Sequence, residues 1–230
     1  MYLTFFKIAL TVLQSRCGAL AGLCTLCAQG AAACSTALVL AIDVSNSIDP
    51  GEYRIQTEGL AEALIDPEVR EALVQGEVAI SVIQWSGKGS QQVTFPWTRI
   101  GSDADVVRLS ELARTMPRAF IMSDTAVGDI IRFAAAQFGP VSDCRRRVID
   151  ISGDGTDNAG TDPNAERRRA ETAGIEINGL AIEGMGLSIT NFYRRHVITR
   201  DGFVMTARGH TDYAETLKRK IRREVSRVLF

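Results

Sequence analysis

The residues with the clearest chemistry are Asp43, Ser45 and Ser47, in the run Asp43-Val44-Ser45-Asn46-Ser47. They alternate, so in a roughly extended loop their side chains can converge on one point. A carboxylate and two hydroxyls are hard oxygen donors, which suit Mg²⁺ or Mn²⁺ rather than Zn²⁺. The run alone also reads as a plain turn and helix N-cap that needs no metal. Two further oxygen donors occupy comparable points in the chain. Thr125 lies at the head of a helical segment, in Ser123-Asp124-Thr125-Ala126. Asp154 follows the apolar run Val148 to Ser152, in Gly153-Asp154-Gly155.

The surrounding elements decide whether these donors can meet. Ala37 to Ile42 is a short apolar run that reads as a buried strand ending at Asp43. Glu52 to Ile65 has helical spacing and stops at Asp66-Pro67, and Pro67 can open a further short helix. Val78 to Trp85 is a second strand, and Val93 to Trp97 a third that Pro96 confines to an edge. Helices are expected over Asp103–Thr115 and Ala126–Phe138, then a strand over Arg146–Ser152. A helix over Pro163–Ala173, a strand over Ile175–Ile182 and a short helix over Ile189–His196 follow. Phe203 to Thr206 is a last strand and Asp212 to Val228 a long terminal helix. This alternation gives an α/β domain, a three-layer sandwich around a mostly parallel, doubly wound sheet. Such sheets bind ligands at the carboxyl ends of their strands, beside the topological switch point. Asp43 and Asp154 fall at such ends.

The ordered set of DxSxS, a threonine opening a helix, and an aspartate-glycine after an apolar strand resembles the metal-ion-dependent adhesion site of von Willebrand factor A domains. The resemblance runs from about Ala37 to the C-terminus. Leu38 to Leu60, Val82 to Trp97 and Cys144 to Asn158 resemble more closely a bacterial family of short, secreted von Willebrand factor A proteins of unknown function. The resemblance implies that Ser45, Ser47 and Thr125 bind Mg²⁺ or Mn²⁺ directly and that Asp43 and Asp154 bind it largely through water. Two carboxylates offset the +2 charge while neutral hydroxyls leave the ion electrophilic, so an aspartate or glutamate of a protein partner can complete it. Asp157, Asn158 and the loop Glu183 to Ser188 are expected to rim the site, or to be ordinary turns. Nothing obvious beside the site acts as a base, so binding is expected rather than turnover. A structural subunit of an envelope complex with a structural metal is the alternative. A Mg²⁺-dependent phosphatase is a weaker one, because the second aspartate such enzymes need is here Ser45.

The 230 residues suffice for one domain with a sizeable core. A formal net charge of −1 gives no electrostatic case for nucleic acid as partner. The basic cluster Lys218 to Arg227 falls in the terminal helix, where Leu217, Ile221 and Val225 form an apolar stripe. Its cations then read as a solvated face. His196 and His210 have no second ligand at metal spacing and read as structural or exposed.

Residues 1–33 read as a signal peptide and leader, with residues 34–230 as the domain. Arg16 precedes the apolar run Gly18 to Ala28, and small residues follow. A retained anchor and a lipoprotein acylated at Cys34 are alternatives, though the usual large aliphatic residue three before Cys34 is missing. Cleavage near residue 30 leaves Cys34 and Cys144, an even pair that suits a periplasmic or secreted protein. No stable transmembrane segment is then expected. If Asp43 and Asp154 share one ion, their strands end level, and these two strands are neighbours in the resembling fold. Cys34, nine residues before Asp43, and Cys144, ten before Asp154, should then meet as a disulfide at the far end of the sheet.

Overall fold

The computed structural model describes residues 34–121 and 123–226. The expected leader, with Cys17, Cys24 and Cys27, lies outside them. The order of elements is β1 (Thr36–Asp43), α1 (Pro50–Ile65), α2 (Pro67–Gln75), β2 (Ala79–Trp85), β3 (Gln91–Arg99), α3 (Asp103–Arg114), α4 (Val127–Ala135), β4 (Arg146–Gly153), α5 (Pro163–Thr172), β5 (Glu176–Glu183), α6 (Ser188–Phe192), β6 (Val204–Arg208) and α7 (Tyr213–Ser226). The six strands form one sheet in the order β3-β2-β1-β4-β5-β6. Every pairing is parallel except β2 with β3.

The fully buried strand β1 feeds both sides of the sheet, because successive side chains point to opposite faces. Leu38, Leu40 and Ile42 pack with Leu60 and Leu64 of α1, Leu109 of α3 and Leu217 and Ile221 of α7. Ala37, Val39 and Ala41 pack with Ile130 and Ile131 of α4, Ala170 of α5 and Tyr193. That is the three-layer sandwich expected from the alternation of strands and helices.

Local chemistry sets the start of α1 just behind the Asp43 loop. Asp49 accepts from the Glu52 N–H, and Glu52 accepts from the Asp49 N–H, a reciprocal capping box with Pro50 in the first turn. Asp66 ends α1 and caps α2.

Strand β3 is longer than Pro96 suggested. Its register shifts opposite Ile80, Val82 and Ile83, so Pro96 sits in an irregular stretch of an edge strand, where a missing N–H breaks no regular ladder. The terminal helix also departs from expectation. Leu217, Ile221 and Val225 are buried as the periodicity requires, but Lys220 and Glu224 are buried beside them. Lys220 Nζ lies 2.6 Å from Asp150 Oδ1 on β4 and 2.6 Å from Glu224 Oε1. The helix face is therefore not uniformly solvated: one of its cations crosses the core to a carboxylate that the sheet supplies.

Candidate metal centre

Strands β1 and β4 are adjacent, with Ile42 opposite Ser152, so Asp43 and Asp154 leave the sheet side by side. The chain runs outward from β1 through β2 to β3, then crosses to β4, β5 and β6. Both aspartates thus stand at the topological switch point.

Asp43 is fully buried. Its Oδ1 accepts from the Ser45 N–H at 2.7 Å. Its Oδ2 has no hydrogen-bond partner. Gly153 packs directly against it, and a Cβ there would lie 2.8 Å from Asp43 Oδ2 and 2.8 Å from the Tyr193 hydroxyl. The Ser45 and Ser47 hydroxyls are 3.2 Å apart, and Ser47 Oγ donates to Asp154 Oδ1 at 2.5 Å. Ser45, Ser47 and Asp154 are therefore linked oxygen to oxygen, and Asp43 joins them through the Ser45 N–H.

Thr125 reaches the same edge from the loop before α4. Its N–H donates to Asn158 Oδ1 at 2.9 Å, and its carbonyl accepts from the Asn158 N–H at 3.0 Å. Asp157 Oδ1 accepts from the Val127 N–H at 2.8 Å at the start of α4. Asp157 and Asn158, expected at the rim, thus use these side-chain oxygens to hold the threonine loop. A Cβ on Gly155 would stand 3.4 Å from Thr125 Oγ1, which places the threonine hydroxyl against the Asp154 turn.

Burial pushes the Asp43 carboxyl up to about 7, and the nearby Asp154 carboxylate adds to the rise. Burial also raises Asp154. Two desolvated carboxylates at one point are costly unless a cation joins them. The orphaned, buried Asp43 oxygen, the convergent hydroxyls and an all-oxygen donor set fit a hard divalent ion.

Three residues outside the expected ligand set also bear on the site: Arg118, Glu52 and His210. Arg118 donates from one guanidinium nitrogen to the carbonyls of Val44 at 2.9 Å and Ser45 at 2.8 Å, bracing the DxSxS loop from a distant segment. Glu52 and His210 come up beside Asp154, where one ligand-capable atom of each lies within 4.8 Å of the others. His210 Nδ1 is 3.0 Å from Glu52 Oε1, while its buried Nε2 has no partner. His210 is therefore no isolated histidine: the β6–α7 connection brings it to the start of α1. The Asp49-Pro50-Gly51-Glu52 cap pattern was the one available hint for Glu52.

At the far end of the sheet, Cys34 and Cys144 form a disulfide with Cα atoms 4.5 Å apart. The register carries them there, since Thr36 pairs with Arg146.

A family profile described as "Protein of unknown function (DUF1194)" matches residues 33–229. No curated protein matches the chain. Among solved structures, proximal thread matrix protein 1 from the mussel byssus, with a zinc-occupied MIDAS motif, is similar at a TM-score of 0.61 and 16% identity, over 84% of this chain and 46% of that one. A von Willebrand factor type A structure from Catenulispora acidiphila is similar at 0.57 and 17% identity, over 85% of this chain and 43% of that one. A pilus adhesin from Lactobacillus rhamnosus GG is similar at 0.62 and 12% identity, over 84% of this chain and 31% of that one. The chain spans less than half the length of each. The fold is that of von Willebrand factor A domains.

Proposed function

The chain belongs to this family of proteins of unknown function, and on its von Willebrand factor A scaffold we propose a metal-dependent protein-binding module. Asp43, Ser45, Ser47, Thr125 and Asp154 hold Mg²⁺ or Mn²⁺, and a partner's aspartate or glutamate completes the coordination. The observation that carries this reading is the buried, unpartnered Asp43 oxygen beside convergent serine hydroxyls. A bound +2 ion held largely by neutral hydroxyls supplies an electrophilic position for an incoming carboxylate. The residues of the chain set that position and surround it.

Capture is favoured over a purely structural metal because protein contacts already fix the loops. Arg118 holds the Ser45 loop, and Asn158 holds Thr125. Exposed apolar side chains also stand at this edge. Ile121 precedes the threonine loop, and Met185 and Leu187 follow β5. They offer a partner apolar contact around the carboxylate. The adhesin and byssus proteins among the structural neighbours are consistent with a role in protein contacts. The disulfide suits an oxidising compartment, and among the described residues no helix is long and apolar enough to cross a membrane. Export to the periplasm or medium, with residues 1–33 as the leader, is part of the proposal.

The metal half of this reading is tested by calorimetric titration of Mg²⁺ and Mn²⁺, with Zn²⁺ as the ion of the mussel site. One ion per chain is expected, with at least about tenfold weaker binding in Ser45→Ala. Protons compete with metal for Asp43, whose carboxyl sits near 7. Affinity should therefore fall by up to about tenfold per pH unit below 7, for each proton released, and level off above it. The metal-free fold has the opposite slope: burial of Asp43 costs more stability as pH rises from its ordinary value toward 7. Equal affinity in Ser45→Ala, or affinity independent of pH between 5.5 and 7, would contradict this assignment.

A further inference from the structure

The other pole of the sheet carries a second feature, independent of the metal centre. Between the starts of β4 and β5 lies a cleft of about 450 Å³ whose lining includes Arg145, Arg146, Arg147 and Arg200. Its acidic neighbours are Glu171, Glu176 and Asp201. Glu171 accepts from the Arg200 N–H at 2.7 Å, and Glu176 pairs with Arg146 at 2.9 Å. Arg146 also donates to the Glu224 carbonyl, which makes it part of the fold. Arg147 is anchored by one nitrogen to the Ala173 carbonyl, while Arg145 and Arg200 are exposed at the lip.

The positive character continues beyond the cleft. Glu171 lines it, and the next residue, Thr172, lines a neighbouring open groove with Arg168 and Arg169. Nearby Arg167 donates to the carbonyls of Arg195 and Ile198, tying α5 to the segment that holds Arg194 and Arg195. In a chain of net charge −1, four arginines thus gather in one cleft at the pole of the sheet opposite Asp43 and Asp154. The cations of α7 do not add to this surface in the same way. Lys220 is buried on Asp150, Arg222 pairs with Glu68, and Arg223 stacks 3.8 Å over Phe203.

We propose that the arginine cleft binds a phosphate group, with Arg145, Arg147 and Arg200 as its recognising side chains. Guanidinium groups match phosphate oxygens by paired hydrogen bonds, and a cleft lets several act on one group. From Arg147 in the cleft, the rest of β4 leads to Asp154 at the metal centre, about 23 Å of extended chain. A phosphate-bearing surface gripped at the cleft would therefore leave the metal face directed outward.

The ligand could be a lipid headgroup or a free phosphate, and two arms separate these sources. Inorganic phosphate and pyrophosphate are titrated into the folded, disulfide-intact protein and followed by calorimetry. In parallel, sedimentation is measured with vesicles of phosphatidylglycerol and phosphatidylcholine against vesicles of phosphatidylcholine alone. Binding in at least one arm is expected, weakened at least tenfold by Arg145→Gln, Arg147→Gln and Arg200→Gln combined. The exposed control Arg54→Gln, Arg108→Gln and Arg114→Gln removes the same charge elsewhere and should change it less than threefold. Melting temperature checks that both variants fold, and Arg200→Gln alone, at the exposed lip, is the substitute should the triple variant fail. No binding in either arm, or equal loss in the control, overturns the proposal. None of these readouts depends on the metal centre.

Discussion

Replacing Lys220 with methionine should cost about 3–5 kcal/mol of unfolding free energy, the scale for breaking a buried ion pair by removing one partner. Lys220 and Glu224 are fully buried, and Asp150 is nearly so. Its ammonium stands 2.6 Å from an oxygen of each. Burial pushes both carboxyls upward, Glu224 to about 8 with Asp150 adding to the rise. The two acids therefore resist carrying a full negative charge each beside a single ammonium. Glu224 also accepts from Asn178 Nδ2 at 2.9 Å, which ties β5 into the same network. Without Lys220 a carboxylate is left in the core with no counter-charge. The loss should shrink as pH is lowered, because protonation of Asp150 and Glu224 removes the stranded charge. Converting the whole cluster, with Asp150→Leu and Glu224→Met added, should restore most of the stability. Urea unfolding at pH 5 and pH 8 checks both points. A Lys220→Met loss below about 1 kcal/mol, or one that grows on acidification, would mean the pair does not fasten α7 to the sheet.

Opening the Cys34–Cys144 disulfide should have an effect of similar size. Its sequence separation of 110 makes the constraint on the unfolded chain large. The loop-entropy relation gives roughly 4–5 kcal/mol, and measured values are often lower. Cys34→Ser with Cys144→Ser should lower the melting temperature by about 10 °C for a domain of this size. Metal affinity should stay within about twofold of the parent, because the bridge lies at the opposite end of β1 and β4 from Asp43 and Asp154. A melting temperature unchanged within about 2 °C would refute a stabilising role for the bridge, whereas a large fall in metal affinity would show that the two ends are coupled.

The sheet and the candidate metal donors were legible in the sequence for related reasons. Asp43 closes the apolar strand β1 and Asp154 directly follows β4, and both the residue type and the strand end are local signals. Those signals do not say which strands are neighbours. The Cys34–Cys144 pairing needed the fold as well as the spacing, and the register bears it out. Contacts between distant segments with ordinary local chemistry were not legible. Arg118 sits in no motif, yet it grips the Ser45 loop. His210 looked isolated because its neighbours Glu52 and Asp154 come from the other end of the chain and from mid-chain. Lys220 looked solvated inside a run of cations, because one of its two counter-charges is 70 residues away on β4. One clue was present there. Asp150 is a lone acid flanked by the apolar residues Val148, Ile149 and Ile151 of β4, and an acid in such a place requires a buried partner.

The central claim is that a metal at the Asp43–Asp154 edge captures a protein. It is tested most directly by retaining proteins from cell-envelope extract and culture medium of the producing organism on immobilised protein. The comparison is Mg²⁺ against EDTA, and wild type against Ser45→Ala, with melting temperatures confirming that all forms remain folded. The account predicts a partner retained only with metal and intact Ser45, and released by EDTA. Retention of the same proteins in EDTA and by Ser45→Ala, or of none in any condition, would contradict it.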